Sequence, residues 1–309
     1  MDIEFVEGWP KDNKVRLLIK NTDSAQVNAL RRTIIADVPK LAISRVDFAQ
    51  GVNRDNKGEV FESVNALPDE VLAHRLAMVP VPTNPDEGLY FPDECPNCID
   101  LAPKDKGCPS CQVLYTLSSR GPNAEAEDQF KTVYTGDLTT ISDPIFDVRE
   151  EHRRIPLTIL AKGQYLEFYA FAVLGRGRDH AKFTPASAIT FRPNRKAILN
   201  NAKAAETLFA LDLTANDGTK IDKKLFTKNE CTDVDKVLDL EKAMHQVGPG
   251  TGRDEAFADA ITFETIPNEF VFMFESDGSL TPEQIMNSAM SELKDRFSRI
   301  TEELDFALA

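Results

Sequence analysis

Four of the chain's five cysteines fall in one stretch, "CPNCIDLAPKDKGCPSC" at residues 95–111, as two C-x-x-C pairs separated by nine residues. Each pair sets two sulfurs on one tight turn. Together Cys95, Cys98, Cys108 and Cys111 supply a tetrahedral shell of four sulfurs, the donor set that suits Zn2+. Such a shell leaves no coordination position for an activated water, so the chemistry it points to is structural. Two alternatives stay open, a degenerate loop that holds no metal and a thioredoxin-like redox pair. The redox reading needs one C-x-x-C opening a helix in a βαβ unit, and Pro96 and Pro109 favour knuckle turns instead.

Little else in the chain has the residue types and spacing for catalysis. "VLGRGRDH" follows a strand-like run and resembles G-x-G-x-x-G, but His180 stands where the third glycine belongs and no dinucleotide unit surrounds it. A tight glycine loop with Arg176, Arg178, His180 and Lys182 on the surface is the plainer expectation. The four histidines, His74, His152, His180 and His245, are each isolated in sequence from a nucleophile or metal partner. No G-x-S-x-G, P-loop or H-E-x-x-H pattern occurs. Paired acids such as Glu302 and Glu303 read as a solvated helix face.

Composition narrows the classes further. At 309 residues the chain exceeds what one hydrophobic core usually serves, so two domains, and room for a third, are expected. Fifty acidic against thirty-six basic residues give a net charge of −14, which repels phosphate backbones and argues against free-standing nucleic-acid binding. No apolar run approaches the roughly 18 residues of a bilayer span, and "MDIEFVEGWP" lacks a basic-then-apolar leader. A cytoplasmic location and no membrane partner are therefore expected. In a reducing compartment, paired cysteines are more often metal ligands or redox groups than disulfides.

The elements that must position these residues are readable in outline. "VRLLIK" alternates as a half-buried strand. "NTDSAQVNALRRTIIADVP" predicts a helix, with Thr22, Asp23 or Ser24 as N-cap, Val27, Leu30 and Ile34 at helical spacing, and Pro39 as the stop. "LAISRVDF" is a second strand and "PDEVLAHRLAMVPV" a short helix. Around the cysteines the strands "VLYTLSS" and "QYLEFYAFAVLG" mark a mostly-β region. A polar stretch at about 196–258, ending in "VGPGTGRDE", reads as a small appended module containing Cys231 alone. After the strand "ITFETIPNEFVFMFES", the chain ends in a helix capped by Thr281 with Pro282 at N1 and Glu283 supporting the first turn. Its apolar residues Met286, Met290, Leu293, Phe297, Ile300 and Leu304 step by four and three, a heptad stripe with charged flanks. That stripe is built to face another helix, either within this chain or in a partner.

"NALRRTIIADVPKLAI", "LPDEVLAHRLAMVPV" and "HAKFTPASAITF", in this order between Asn28 and Phe191, resemble subunit 3 of the archaeal RNA polymerases. That family is similar to the third-largest subunit of eukaryotic RNA polymerase II and, more distantly, to bacterial alpha. The match covers both ends of the chain and most of its middle. It implies an α+β fold: a discontinuous dimerisation domain of sheet and long helices from residues 1–48 and 188–309, with a mostly-β domain carrying the cysteine loop inserted at 49–187. A small ferredoxin-like module at 196–258 would sit within the dimerisation domain.

The resemblance also implies function. The chain would be a non-catalytic platform that pairs with the small subunit L, nucleates assembly of the large catalytic subunits, joins other small assembly subunits, and meets DNA and RNA only through the complex. Leu30, Arg31, Arg32 and Ile34 of the first helix, with Met286, Met290, Leu293, Phe297 and Ile300 of the last, would face subunit L. The family's inserted domain often carries a zinc loop where the cysteine stretch lies, which implies one structural Zn2+. Many relatives hold iron–sulfur cysteines in the later module. Here Cys231 is alone, and one thiolate cannot hold a cluster that needs three or four, so no iron–sulfur cluster is expected. Within "HAKFTPA" the family contacts larger subunits, without individual roles for His180 and Lys182. A zinc-ribbon adaptor that binds nucleic acid or a signalling partner directly is the competing expectation. It would want a basic stripe beside the cysteines, where Lys104 and Lys106 stand almost alone.

Overall fold

The computed structural model describes residues 1–54, 58–63, 67–102, 105–215, 218–247 and 260–308. Lys104 and residues 248–258, the end of the expected appended module with most of "VGPGTGRDE", lie outside the described residues. In chain order the strands are β1 (Asp2–Phe5), β2 (Lys14–Lys20), β3 (Pro39–Phe48), β4 (Val52–Arg54), β5 (Val60–Glu62), β6 (Gln112–Arg120), β7 (Phe130–Tyr134), β8 (Thr139–Thr140), β9 (Pro156–Ala161), β10 (Tyr165–Arg176), β11 (Ala186–Leu199), β12 (Glu230–Cys231) and β13 (Ile261–Ser276). The helices are α1 (Ser24–Ala36), α2 (Asp69–Ala77), α3 (Ala202–Phe209), α4 (Val234–Val247) and α5 (Pro282–Leu308).

Local chemistry sets the helix ends. Asp23 is the N-cap of α1, its Oδ1 accepting the Gln26 N–H at 2.9 Å. The helix ends before Pro39, which has no N–H to donate and opens β3 instead. At α5 a reciprocal capping box forms: the Gln284 N–H donates to Thr281 Oγ1 at 3.2 Å, and the Thr281 N–H donates to Gln284 Oε1 at 2.9 Å. Gln284, three residues after Thr281, is the second member of the box, while Glu283 supplies the acidic residue of the first turn.

The chain divides into two compact units, residues 1–29 with 189–274 and residues 30–188 with 275–309. In the first, a five-stranded sheet has the order β1-β2-β13-β11-β12. Along β2 the buried Val15, Leu17 and Ile19 alternate with Arg16, Leu18 and Lys20, the period of a strand with one covered face. Apolar residues of α3 and α4, among them Leu208, Val237 and Leu240, pack with Ala197 and Leu199 of β11. Cys231 belongs to this apolar cluster, and burial pushes its thiol above the ordinary range. The described part of the module expected at 196–258 is therefore two helices and a two-residue strand set against β11.

The second unit is built on an antiparallel sheet of order β3-β10-β6-β8. Leu41 and Ile43 of β3, Val113, Tyr115 and Leu117 of β6, and Phe168, Ala170 and Ala172 of β10 form one cluster with Leu72 and Leu76 of α2. Tyr115 is the polar member of this core, and its hydroxyl donates to the Phe146 carbonyl at 2.7 Å, so its burial leaves no bond unmade. Ribbons β4–β5 and β7–β9 complete a mostly-β region. β3 falls in this unit because it is paired with β10 from Phe48 opposite Phe168 to Pro39 opposite Arg176. The "GRGRDH" stretch packs by close approach instead of cradling a phosphate. A Cβ at Gly177 would fall 1.9 Å from the Ile35 carbonyl oxygen, so glycine is required there. Among the described residues no helix is long and apolar enough to cross a membrane.

Candidate functional site

The two C-x-x-C pairs fold as equivalent knuckles. In the first, the N–H groups of Cys98 and Ile99 donate to the Cys95 carbonyl at 3.0 and 2.9 Å; in the second, those of Cys111 and Gln112 donate to the Cys108 carbonyl at 2.9 and 3.0 Å. The turns bring the four sulfurs together. Sγ–Sγ separations are 3.5 Å for Cys95–Cys108, 3.8 Å for Cys108–Cys111 and 3.9 Å for Cys98–Cys111. Four sulfurs about 2.3 Å from a tetrahedral zinc lie about 3.8 Å from one another, whereas a disulfide needs about 2.05 Å. The spacing therefore suits one metal ion and not two disulfides.

The protonation pattern fits the same use. The backbone N–H of Ser110 holds the Cys108 thiol down at about 6, while burial pushes Cys111 up to about 12 and Cys95 upward as well. Raised thiols at Cys95 and Cys111 beside a lowered one at Cys108 are a poor arrangement for a core; a divalent cation favours the thiolate form of its cysteine ligands. Among the described residues, the buried cluster here consists of these cysteines alone. Lys106 is paired with Asp93 at 2.5 Å, and its charge is not displayed as part of a basic stripe.

The terminal helix has two different halves. Near its start Ile285 and Ala289 are buried, and two ion pairs hold the next turns to the same unit. Glu292 meets Arg176 Nη1 at 2.7 Å, and Arg296 meets the buried Asp37 at 2.5 Å. Arg176 also donates to the Asp37 carbonyl and lies over the Phe91 ring. It is thus an interior tie, not the surface residue that a glycine loop suggests. Past this network the apolar residues are uncovered: Phe297 is 63%, Ile300 56% and Leu304 55% exposed, with Met290 beside them also open and Met286 and Leu293 half-buried. The first helix behaves oppositely. Leu30 and Ile34 are 1% and 0% exposed, which corrects their expected place in a partner-facing surface, because the chain itself already covers them. Arg31 is half-buried and Arg32 exposed.

Sequence reasoning missed the Asp37–Arg176–Glu292–Arg296 network. The charged residue directly after the apolar run of α1 was its only sequence signal. A second feature joins the two remaining motifs: Ala77 at the end of α2 and the exposed Met78 just after it line a groove that also contains Ile43 and Arg45 of β3, His180 and Lys182. Lys182 Nζ donates to the Ile43 carbonyl at 3.2 Å, and burial lowers its pKa. His180 is exposed, its Nδ1 accepting the Lys182 N–H at 3.1 Å.

Comparison with known proteins follows the same lines. Residues 16–297 match the family model described as the RNA polymerase Rpb3/Rpb11 dimerisation domain. The chain is 33% identical to DNA-directed RNA polymerase subunit Rpo3 of Picrophilus torridus over 295 residues, 95% of this chain and 97% of that protein. It is 31% identical to subunit Rpo3 of Thermoplasma volcanium over 95% of this chain and 96% of that protein. Subunit 3 of RNA polymerases II, IV and V from Arabidopsis thaliana is 30% identical, over 94% of this chain and 88% of that protein.

Proposed function

The chain belongs to the RNA polymerase Rpb3/Rpb11 dimerisation-domain family, and from that membership we propose that it pairs with subunit L through the exposed stripe of α5. It is a non-catalytic assembly subunit of DNA-directed RNA polymerase, part of an enzyme complex rather than a catalyst by itself. The observation that carries the proposal is the row Met290, Phe297, Ile300 and Leu304, uncovered on a helix whose earlier turns are fixed to the body. Water-exposed aromatic and aliphatic residues at heptad spacing are a cost to the free chain that a second helix removes. Leu293 and Met286 border the same seam. Leu30 and Ile34 support the platform from inside, and Arg31 and Arg32 remain assigned to the neighbourhood of the partner.

Three further assignments complete the reading. The four-cysteine loop holds one structural Zn2+, which Cys95, Cys98, Cys108 and Cys111 would bind without leaving an open position. The groove beside α2 and β3, with Met78 at its edge, faces the large catalytic subunits, and DNA and RNA are met only through the assembled, cytoplasmic complex. The discontinuous dimerisation domain of residues 1–48 and 188–309 and the ferredoxin-like character of 196–258, without an iron–sulfur cluster, are kept as part of the proposal. The test is co-expression with subunit L followed by gel filtration of the wild type and of Leu293→Glu/Phe297→Glu. The wild type should co-elute with its partner and the double variant should not. Retained co-elution would remove the stripe as the interface.

A further inference from the structure

We propose that the groove between α2 and β3 takes up a segment of a large catalytic subunit that sets an aspartate or glutamate carboxylate on Lys182 and an apolar side chain on Met78. The inference rests on the reading that this groove faces the large catalytic subunits, and specifies what the facing surface carries.

The groove lies within one compact unit and has a volume of about 420 Å3, in the range of about 300–1,000 Å3 that ligand-sized clefts occupy. Its apolar side comes from Ala73 and Ala77 of α2 and from Met78, which is 64% exposed. Its titratable lining residues are Arg45, His74, His180 and Lys182, and no carboxylate lines it among the described residues. In a chain of fifty acidic and thirty-six basic residues, that is a local reversal of sign.

Two of the charges around the groove are already matched. Arg45 lies 3.5 Å from Asp47 and 3.9 Å over the Phe171 ring, and Asp179, beside His180, lies 4.0 Å from Arg178. Lys182 is different. Its side chain is half-buried, its Nζ donates to the Ile43 carbonyl at 3.2 Å and lies 5.0 Å over the Phe183 ring, and among the described residues no carboxylate pairs with it. An ammonium has three donors, and a carbonyl supplies no counter-charge. Withdrawing such a cation from water carries a cost that an incoming carboxylate removes. Beside it, His180 Nδ1 accepts the Lys182 N–H at 3.1 Å, so the neutral ring carries its hydrogen on Nε2 and keeps a donor for the same anion. The apolar side selects among anions. A nucleic-acid backbone has no aliphatic side chain to place on Met78, whereas a protein segment has, and the adaptable thioether suits such a contact.

The experiment treats the assembled polymerase with a water-soluble carbodiimide, which joins a lysine amine to a carboxylate in contact with it as an amide and leaves as its urea. Peptide mass spectrometry should find Lys182 joined to an aspartate or glutamate of a large catalytic subunit, with Lys20 and Glu4, 2.8 Å apart, as the pair within the chain that must also join. Acetic anhydride should label Lys182 in the free chain, and assembly should remove that labelling. Lys182→Gln should weaken binding of the chain–subunit L pair to the large catalytic subunits about fivefold, Lys182→Arg should recover most of the loss, and Lys203→Gln, exposed on α3, should stay within about twofold. If Lys182 loses its labelling on assembly but joins no carboxylate of a large subunit while Lys20 joins Glu4, the carboxylate assignment is overturned and the groove's place against the large subunits stands. If labelling is unchanged by assembly, both are overturned. An equal loss of binding for Lys203→Gln would mean that net charge alone matters, and would overturn the assignment as well.

Discussion

Replacing Phe297 with alanine isolates the seam's largest side chain. Phe297 is 63% exposed in the free chain, and an aromatic side chain of this kind buries about 150–250 Å2 when fully covered, so roughly 125 Å2 remains for a partner to remove from water. At about 25 cal/mol per Å2 this corresponds to roughly 3 kcal/mol. The alanine Cβ keeps part of that, and ordering the ring on binding offsets about 1 kcal/mol, leaving a net loss of about 2 kcal/mol, or about a 30-fold rise in Kd. Calorimetric titration with subunit L reads this directly. Tyr169, 48% exposed on the outer side of β10, is the matched control, and its replacement by alanine should leave Kd within about twofold. Neither substitution removes a buried contact, so the free chain should melt within about 2 °C of wild type. A Kd for Phe297→Ala within threefold of wild type, or an equal loss for Tyr169→Ala, would refute the reasoning.

Metal analysis of the purified chain should find about one zinc and no iron, and Cys98→Ser should lose the zinc. Because the cysteine cluster is separate from the sheet cluster around Tyr115 and Phe168, amide exchange should rise at 91–112 while the sheet keeps its protection. Asp37→Ala removes the acid that holds Arg296; with Arg296 half exposed, the cost should be about 1–2 kcal/mol, seen as a lower melting temperature and faster exchange across residues 286–296. Tyr115→Phe leaves the Phe146 carbonyl unpaired and should cost about 1–2 kcal/mol in denaturant unfolding. Burial, aided by the Asp147 carboxylate, pushes the Tyr115 phenol upward, so the folded state holds it protonated. The stability it contributes is present below the unfolded value of about 10 and lost as pH rises above it, and Tyr115→Phe should flatten that alkaline decline.

Much of this molecule is legible in its sequence because periodicity and caps are local. The strand around Leu17, the helix capped at Asp23, and the α5 stripe all follow from residue types a few positions apart. The cysteine spacing likewise foretells four sulfurs within one ion's reach. Partnership is not local. The repeat of Leu30 and Ile34 announces an apolar face but not what covers it, and these residues turn out covered by their own chain, whereas the same repeat in α5 ends uncovered. The pairing of β3 with β10 joins residues more than a hundred positions apart, so no window of sequence assigns β3 to its unit. Arg176 looks like a loop residue because its neighbours are glycines; only the fold brings it beside Asp37 and Glu292.

The central claim is that a second polypeptide covers the far half of α5. Hydrogen–deuterium exchange of the full chain, with and without saturating subunit L, tests it residue by residue. Residues 290–308 should become strongly protected in the complex while 95–111 exchanges as before. Unchanged exchange across 290–308 in a chain that has demonstrably bound subunit L would contradict the account.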